Sequence, residues 1–145
     1  MKNKVTTLSF VLLVLIISAC SSSEESTKEE VKEEKINLVV DYSFAGIENG
    51  YDHQVKIEVF SNDIKVGESN PHLQSESAST TIEISKGNQK IKFLVSVNFN
   101  GNWEEHLKAN DYAIDAVYET ELDVQSDQKI KLLFDLDKGT IREYN

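Results

Sequence analysis

Residues 90–100 read KIKFLVSVNFN, and the apolar side chains Ile91, Phe93, Val95, Val97 and Phe99 fall on every second position. In an extended strand successive side chains point to opposite faces, so this spacing builds one oily face and one mixed face. A helix would scatter the same residues around its circumference. A strand of this kind has to bury its oily face, and only a second layer of structure can cover it. The run ends at Asn100-Gly101, a pair suited to a two-residue hairpin turn whose central residues both need positive φ.

The same alternation recurs along the chain. Ile36, Leu38, Val40, Tyr42 and Phe44 mark one strand. Val55, Ile57 and Val59 mark a second, with Asn62-Asp63 at a tight turn before Ile64 and Val66. Residues 68–77 hold the single proline, Pro71, and read as a loop. Thr80, Ile82 and Ile84 follow, closed by Lys86-Gly87-Asn88. The final long strand turns Ile130, Leu132, Phe134 and Leu136 inward, and Asp137-Lys138-Gly139 leads to a short strand at 140–144. Seven or eight short strands with frequent turns predict an all-β domain over residues 35–145. The expected form is an antiparallel β-sandwich, immunoglobulin-like or transthyretin-like in build.

One segment resists this reading. Trp103, Leu107, Ile114 and Val117 would line a helix, whereas Tyr118, Thr120, Leu122 and Val124 alternate as a strand. The spacing predicts a strand over 117–124 and a loop, with at most one helical turn, over 103–116.

The N-terminus follows different rules. Lys2 and Lys4 precede an apolar run over 5–17, then come Ser18, Ala19 and the chain's one cysteine, Cys20. A charged start, a short greasy stretch and small residues before a boundary describe a secretory signal peptide. The run is shorter than the roughly 20 residues that a membrane-spanning helix takes. Ile17-Ser18-Ala19-Cys20 resembles the lipobox of bacterial lipoproteins, with Ile where Leu is commonest. The resemblance implies cleavage after residue 19, a diacylglyceryl group on the Cys20 thiol, and palmitate as a usual acyl donor. It also implies an address on the cell envelope. With Ser21 next, that is the outer membrane of a Gram-negative cell or the outer face of the membrane of a Gram-positive one.

Residues 21–34, SSSEESTKEEVKEE, hold one apolar side chain, Val31, and have almost nothing to bury. They read as an acidic linker between lipid and body. Losing Lys2 and Lys4 takes the formal charge from −10 to −12. That balance argues against nucleic acid, whose binders present basic patches, and for a monomeric body held off an anionic surface.

Residues that carry chemistry are few. His53, His72 and His106 fall in separate loops, so no nucleophile and base can be paired, and no enzyme or cofactor is expected. Asp135-Leu136-Asp137-Lys138-Gly139 opens like a calcium loop, but glycine stands where the fifth position needs an oxygen ligand. Asn110, Asp111, Asp115 and Glu119, with Glu104 and Glu105 nearby, form a looser oxygen-rich group without metal-ligand spacing. Trp103, Tyr112, Asp115 and Tyr118 are the candidate binding surface, since exposed aromatics beside acids suit a glycan or a protein partner. Lys90 and Lys92 share one strand face and Lys129 and Lys131 another, which would make a cationic strip if those strands are neighbours.

The expected role is a lipid-anchored, non-enzymatic binding or structural module. Two alternatives fit the composition. One is an acidic inhibitor or immunity-type protein that acts on a basic enzyme or toxin, and the other is a divalent-ion-dependent glycan binder.

Overall fold

The computed structural model describes residues 34–144, so the signal segment 1–19, Cys20 and the linker up to residue 33 lie outside the described residues. Ten strands are present: β1 Lys35–Ala45, β2 Gln54–Ser61, β3 Ile64–Glu68, β4 His72–Leu73 and β5 Ala78–Ser85, then β6 Gly87–Phe99, β7 Asn102–Glu105, β8 Val117–Val124, β9 Gln128–Asp135 and β10 Thr140–Glu143. One 3-10 turn, Lys108–Asn110, is the helical element among the described residues. The strands form a four-stranded sheet in the order β10-β9-β1-β5 and a six-stranded sheet in the order β3-β2-β6-β7, with β4 also on β2 and β8 also on β6. Among the described residues no helix is long and apolar enough to cross a membrane.

The all-β sandwich expected from the alternation is the fold, with two departures. Strands β4 and β7 are additional: β4 has only two residues and β7 a single apolar one, Trp103, so neither shows a repeat. The second departure is that pairing is not antiparallel throughout. Strand β1 runs parallel to β9, with Leu38 opposite Gln128 and Ala45 opposite Asp135. The chain lays down the whole second sheet between these two strands and returns in the original direction. Parallel partners need such a long connection, and alternation within one strand is blind to it.

The core is the set of residues that the period-two pattern turned inward. Leu38, Val40 and Tyr42 of β1, with Leu132 and Phe134 of β9, belong to one buried cluster with Val55, Ile57 and Val59 of β2. Ile91, Phe93, Val95 and Val97 of β6 complete it from the second sheet. Burying each such side chain contributes about 1.5–3 kcal/mol. The alternation overreaches at the strand ends: Ile64 beside the Asn62-Asp63 turn is 70% exposed, and Phe99 is 47% exposed.

Tyr42 ties the sheets together through polar atoms. Its hydroxyl lies 2.6 Å from Ser69 Oγ, which accepts the Ile57 N–H at 3.0 Å. Burial pushes the Tyr42 hydroxyl up to about 12, opposed by its bond to Ser69. A phenol whose folded pKa exceeds its unfolded value near 10 stabilises the fold below that unfolded value, and the contribution is lost as pH rises through the folded pKa. Denaturant unfolding followed from pH 9 to about pH 12 should therefore show a steep alkaline loss of stability. Tyr42→Phe should flatten that limb; an unchanged slope would contradict the assignment.

One flank of the sandwich is closed by contact between β3 and β5. A Cβ added to Gly67 would lie 2.5 Å from Ile82 Cδ1, so the absence of a side chain permits the approach. Gly67→Ala is expected to lower stability by about 1–3 kcal/mol, the usual range for overpacking, read as a lower melting temperature. An unchanged melting temperature would mean the flank is looser than its geometry.

Candidate functional site

The strand ends decide where a site can form. Ala45 ends β1 opposite Asp135, the last residue of β9, and Gln54 opens β2 opposite Asn98 near the end of β6. The connections after β1, β6 and β9 therefore gather at one pole with the approach to β2. A cleft of about 740 Å³ lies there, lined from the β1–β2 connection by Gly46, Ile47, Glu48, Tyr51 and His53. Its other walls include Phe99, Glu104, His106, Tyr112 and Asp137.

The wall on the β6 side has a specific construction. Strands β7 and β8 both run antiparallel to β6 and occupy successive lengths of the same edge, Glu105 opposite Ser96 and Val117 opposite Leu94. Between them Val95 donates its N–H to Ala116 O at 3.0 Å and accepts the His106 N–H at 2.9 Å, while Ala116 N–H donates to His106 O at 2.8 Å. The two strands are thus one edge strand interrupted at Val95 by an excursion over residues 107–115. That is why 103–116 reads as neither strand nor helix in the sequence.

The excursion is held by its own polar groups. Asp115 Oδ1 accepts the Lys108 N–H at 2.9 Å, and Asn110 Nδ2 donates to Glu105 O at 2.8 Å. Asp111 takes the left-handed conformation that ends the 3-10 turn. The Tyr112 hydroxyl donates to Glu104 Oε1 at 2.7 Å, and its ring stacks on His106 with centroids 4.3 Å apart. Burial, and then the Glu104 carboxylate, hold the Tyr112 hydroxyl well above the usual phenol range. His106 is 3% exposed and donates Nδ1–H to Ile114 O at 3.3 Å. Burial lowers its pKa, opposed by backbone hydrogen bonds, so the ring is neutral at neutral pH.

Of the four residues expected to share a binding surface, only Tyr112 reaches the cleft. Trp103 lies on the outer face of its sheet, 39% exposed, with Lys56 Nζ 5.2 Å from its ring centroid. Asp115 is spent inside the excursion. Tyr118 packs on Phe93 at 6.2 Å and donates to Glu143 Oε2 at 3.3 Å, bridging β8 to β10 on the flank. The cause is alternation at the edge: Trp103 and Glu104 are neighbours and so face opposite ways.

The other candidates sort similarly. His53 and His106 come together at the cleft while His72 packs against Tyr42, and His106 is buried where a loop reading made it exposed. Among the described residues no group of three or more His, Cys, Asp or Glu is placed to hold a metal. Asp135 accepts the Lys138 N–H at 3.1 Å and pairs with its Nζ at 2.9 Å, which closes the turn that opened like a calcium loop. Lys90 and Lys92 belong to β6 and Lys129 and Lys131 to β9, in different sheets, so no cationic strip forms. Lys90 pairs with Glu119 at 3.1 Å and Lys129 with Asp41 at 2.7 Å.

Sequence reasoning missed Tyr51, Glu48 and the cleft role of Phe99. Tyr51, 60% exposed, stands in a connection without periodicity. No local signal marks them, because the exits of β1, β6 and β9 share a pole through strand order, which alternation within one strand does not encode.

Asp115→Ala should loosen the excursion without melting the sandwich. Hydrogen exchange at amides 107–116 is expected to speed by about tenfold, the loss of roughly one charge-assisted hydrogen bond, with the amides of β2 unchanged. Equal acceleration in both regions would show that the excursion and the sheet unfold as one.

No family model matches the chain, and no curated protein matches it. A solved structure of pneumolysin is similar over 77% of this chain, with a TM-score of 0.35 and 12% identity. The chain spans 24% of that protein's length.

Proposed function

We propose that this chain is a lipid-anchored protein of a bacterial cell envelope, whose β-sandwich is a non-enzymatic binding module that takes its ligand in the end cleft. The cleft carries the binding half of this reading. Its volume of about 740 Å³ falls within the range of small-ligand sites. Tyr51 and Phe99 stand half-exposed on its rim, and the stacked His106–Tyr112 pair forms a rigid wall.

The anchoring half rests on Lys2, Lys4, the apolar run and Ile17-Ser18-Ala19-Cys20. Each buried methylene of an acyl chain contributes about 0.8 kcal/mol, so two or three chains hold a protein on a bilayer without a spanning helix. The acidic body favours a position away from anionic headgroups.

Expression with radiolabelled palmitate tests the anchor. The full chain is expected to take up label and sediment with membranes, whereas Cys20→Ser should be unlabelled and leave the membrane fraction. A serine variant that stays membrane-bound would overturn the anchoring assignment.

A further inference from the structure

We propose that Asn49 is a site of spontaneous intramolecular modification, at which the side-chain amide is replaced by a carboxylate on the rim of the end cleft. The chain holds two Asn-Gly pairs, Asn49-Gly50 and Asn100-Gly101. This dipeptide carries its own chemistry. The Gly nitrogen attacks the Asn side-chain carbonyl carbon, ammonia leaves, and a succinimide ring closes. Water then opens that ring at either carbonyl, to aspartate or to isoaspartate, in which the backbone runs through the side chain. The sum is amide plus water giving acid plus ammonia, with no oxidant and no cofactor. Glycine favours the attack because no Cβ hinders its nitrogen.

The fold treats the two pairs differently. Asn100 and Gly101 are the central residues of the β6–β7 hairpin, at φ +51° and +87°, between the paired Phe99 and Asn102. In the left-handed conformation the next nitrogen lies nearly opposite Cβ across the Cα–C bond, so it faces away from the carbon it must attack. Turning it round undoes the two-residue turn and with it the hairpin register. Four cross-strand pairs, from Phe99–Asn102 to Ser96–Glu105, oppose that.

Asn49 has none of these restraints. It is exposed in the connection between β1 and β2 and keeps a negative φ. Its turn is closed by one hydrogen bond, from Tyr51 N–H to Glu48 O at 3.0 Å. Gly50 takes φ +89° at the third position of that turn, where a type II turn needs glycine. A Cβ added there would meet nothing within 4 Å outside its chain neighbours, so the space is open. Among the described residues no hydrogen bond holds the Asn49 side chain or the Gly50 N–H. Opening a single turn bond therefore lets the nitrogen swing onto the side chain, and the open space admits first the ring and then water. The product lies between Glu48 and Tyr51, both of which line the cleft. It adds a negative charge beside Glu48, and the isoaspartate form lengthens the backbone there by a methylene, which moves Tyr51 on the rim. The site stands on backbone chemistry and does not depend on what the cleft binds.

The test holds the full chain in detergent in mildly alkaline buffer, which favours loss of the glycine N–H proton. Samples are digested in acid and read by peptide mass spectrometry, with a denatured sample carried in parallel. In the folded protein the Asn49 peptide is expected to gain the mass of an amide turned to an acid and to split on chromatography into aspartate and isoaspartate forms. Asn100 should still be an amide when half of Asn49 has converted. In denaturant both residues are expected to convert together, which assigns the difference to the fold. Asn49→Ala should abolish the early mass gain of the folded protein. Equal conversion of Asn49 and Asn100 in the folded protein overturns the inference, as does an Asn49 that stays intact there while the denatured chain reacts.

Discussion

Val95 is the point on which both the core and the site depend. Its side chain is fully buried between the sheets, and its strand pairs along one edge with β2. On the other edge its two backbone groups bind His106 and Ala116, which bind each other. A strand in the middle of a sheet satisfies its N–H and C=O groups on both sides. Here one residue does so with the two ends of an interruption, so residues 107–115 can leave the sheet without stranding a buried backbone group. The excursion then rises over the pole where the other strand exits gather. The cleft follows from hydrogen-bond bookkeeping at the centre of the fold.

How much of this could be read in the chain depends on the range over which each feature is encoded. Ile91 to Val97 state their own strand, because pleating makes burial a property of neighbours in sequence. Asn62-Asp63 and Asn100-Gly101 state their own turns, and all four adopt positive φ. The parallel pairing of β1 with β9 is not stated anywhere locally, since each strand shows the same alternation whichever direction its partner runs. The site suffers most from this. Glu48, His106 and Asp137 stand in three different connections and Phe99 at the end of β6, and only the order of strands brings them to one pole. Trp103 and Tyr118 attracted attention through their chemistry, but their facing was set by alternation along β7 and β8, which puts neither in the cleft.

The distribution of charge has a physical logic of its own. On the outer face of the six-stranded sheet Lys56 and Lys65 sit 2.8 Å and 2.7 Å from Glu68, and Lys65 also reaches Glu58 at 2.7 Å. The two lysines pull the Glu68 carboxyl down to about 2. Exposed pairs of this kind contribute little to stability, about 0–1 kcal/mol each. Their effect is to use up the cations of the sheet faces, where lysines also discourage edge-to-edge association.

The topology also sets the cleft at one end of the first strand. Strand β1 begins at Lys35 and ends at Ala45, next to Gly46 of the cleft wall. At about 3.3 Å per residue a strand of this length spans some 36 Å, so the chain enters the sandwich at the pole opposite the cleft. The position of Gly46 is part of this arrangement. It has φ +72°, and a Cβ there would lie 2.5 Å from Asp137 N, so the chain can leave β1 directly beneath the β9–β10 turn only as glycine. That close approach lets Asp137 and the β1–β2 connection form one wall. The first strand thereby runs the length of the sandwich and also fixes the shape of the pole where the cleft lies.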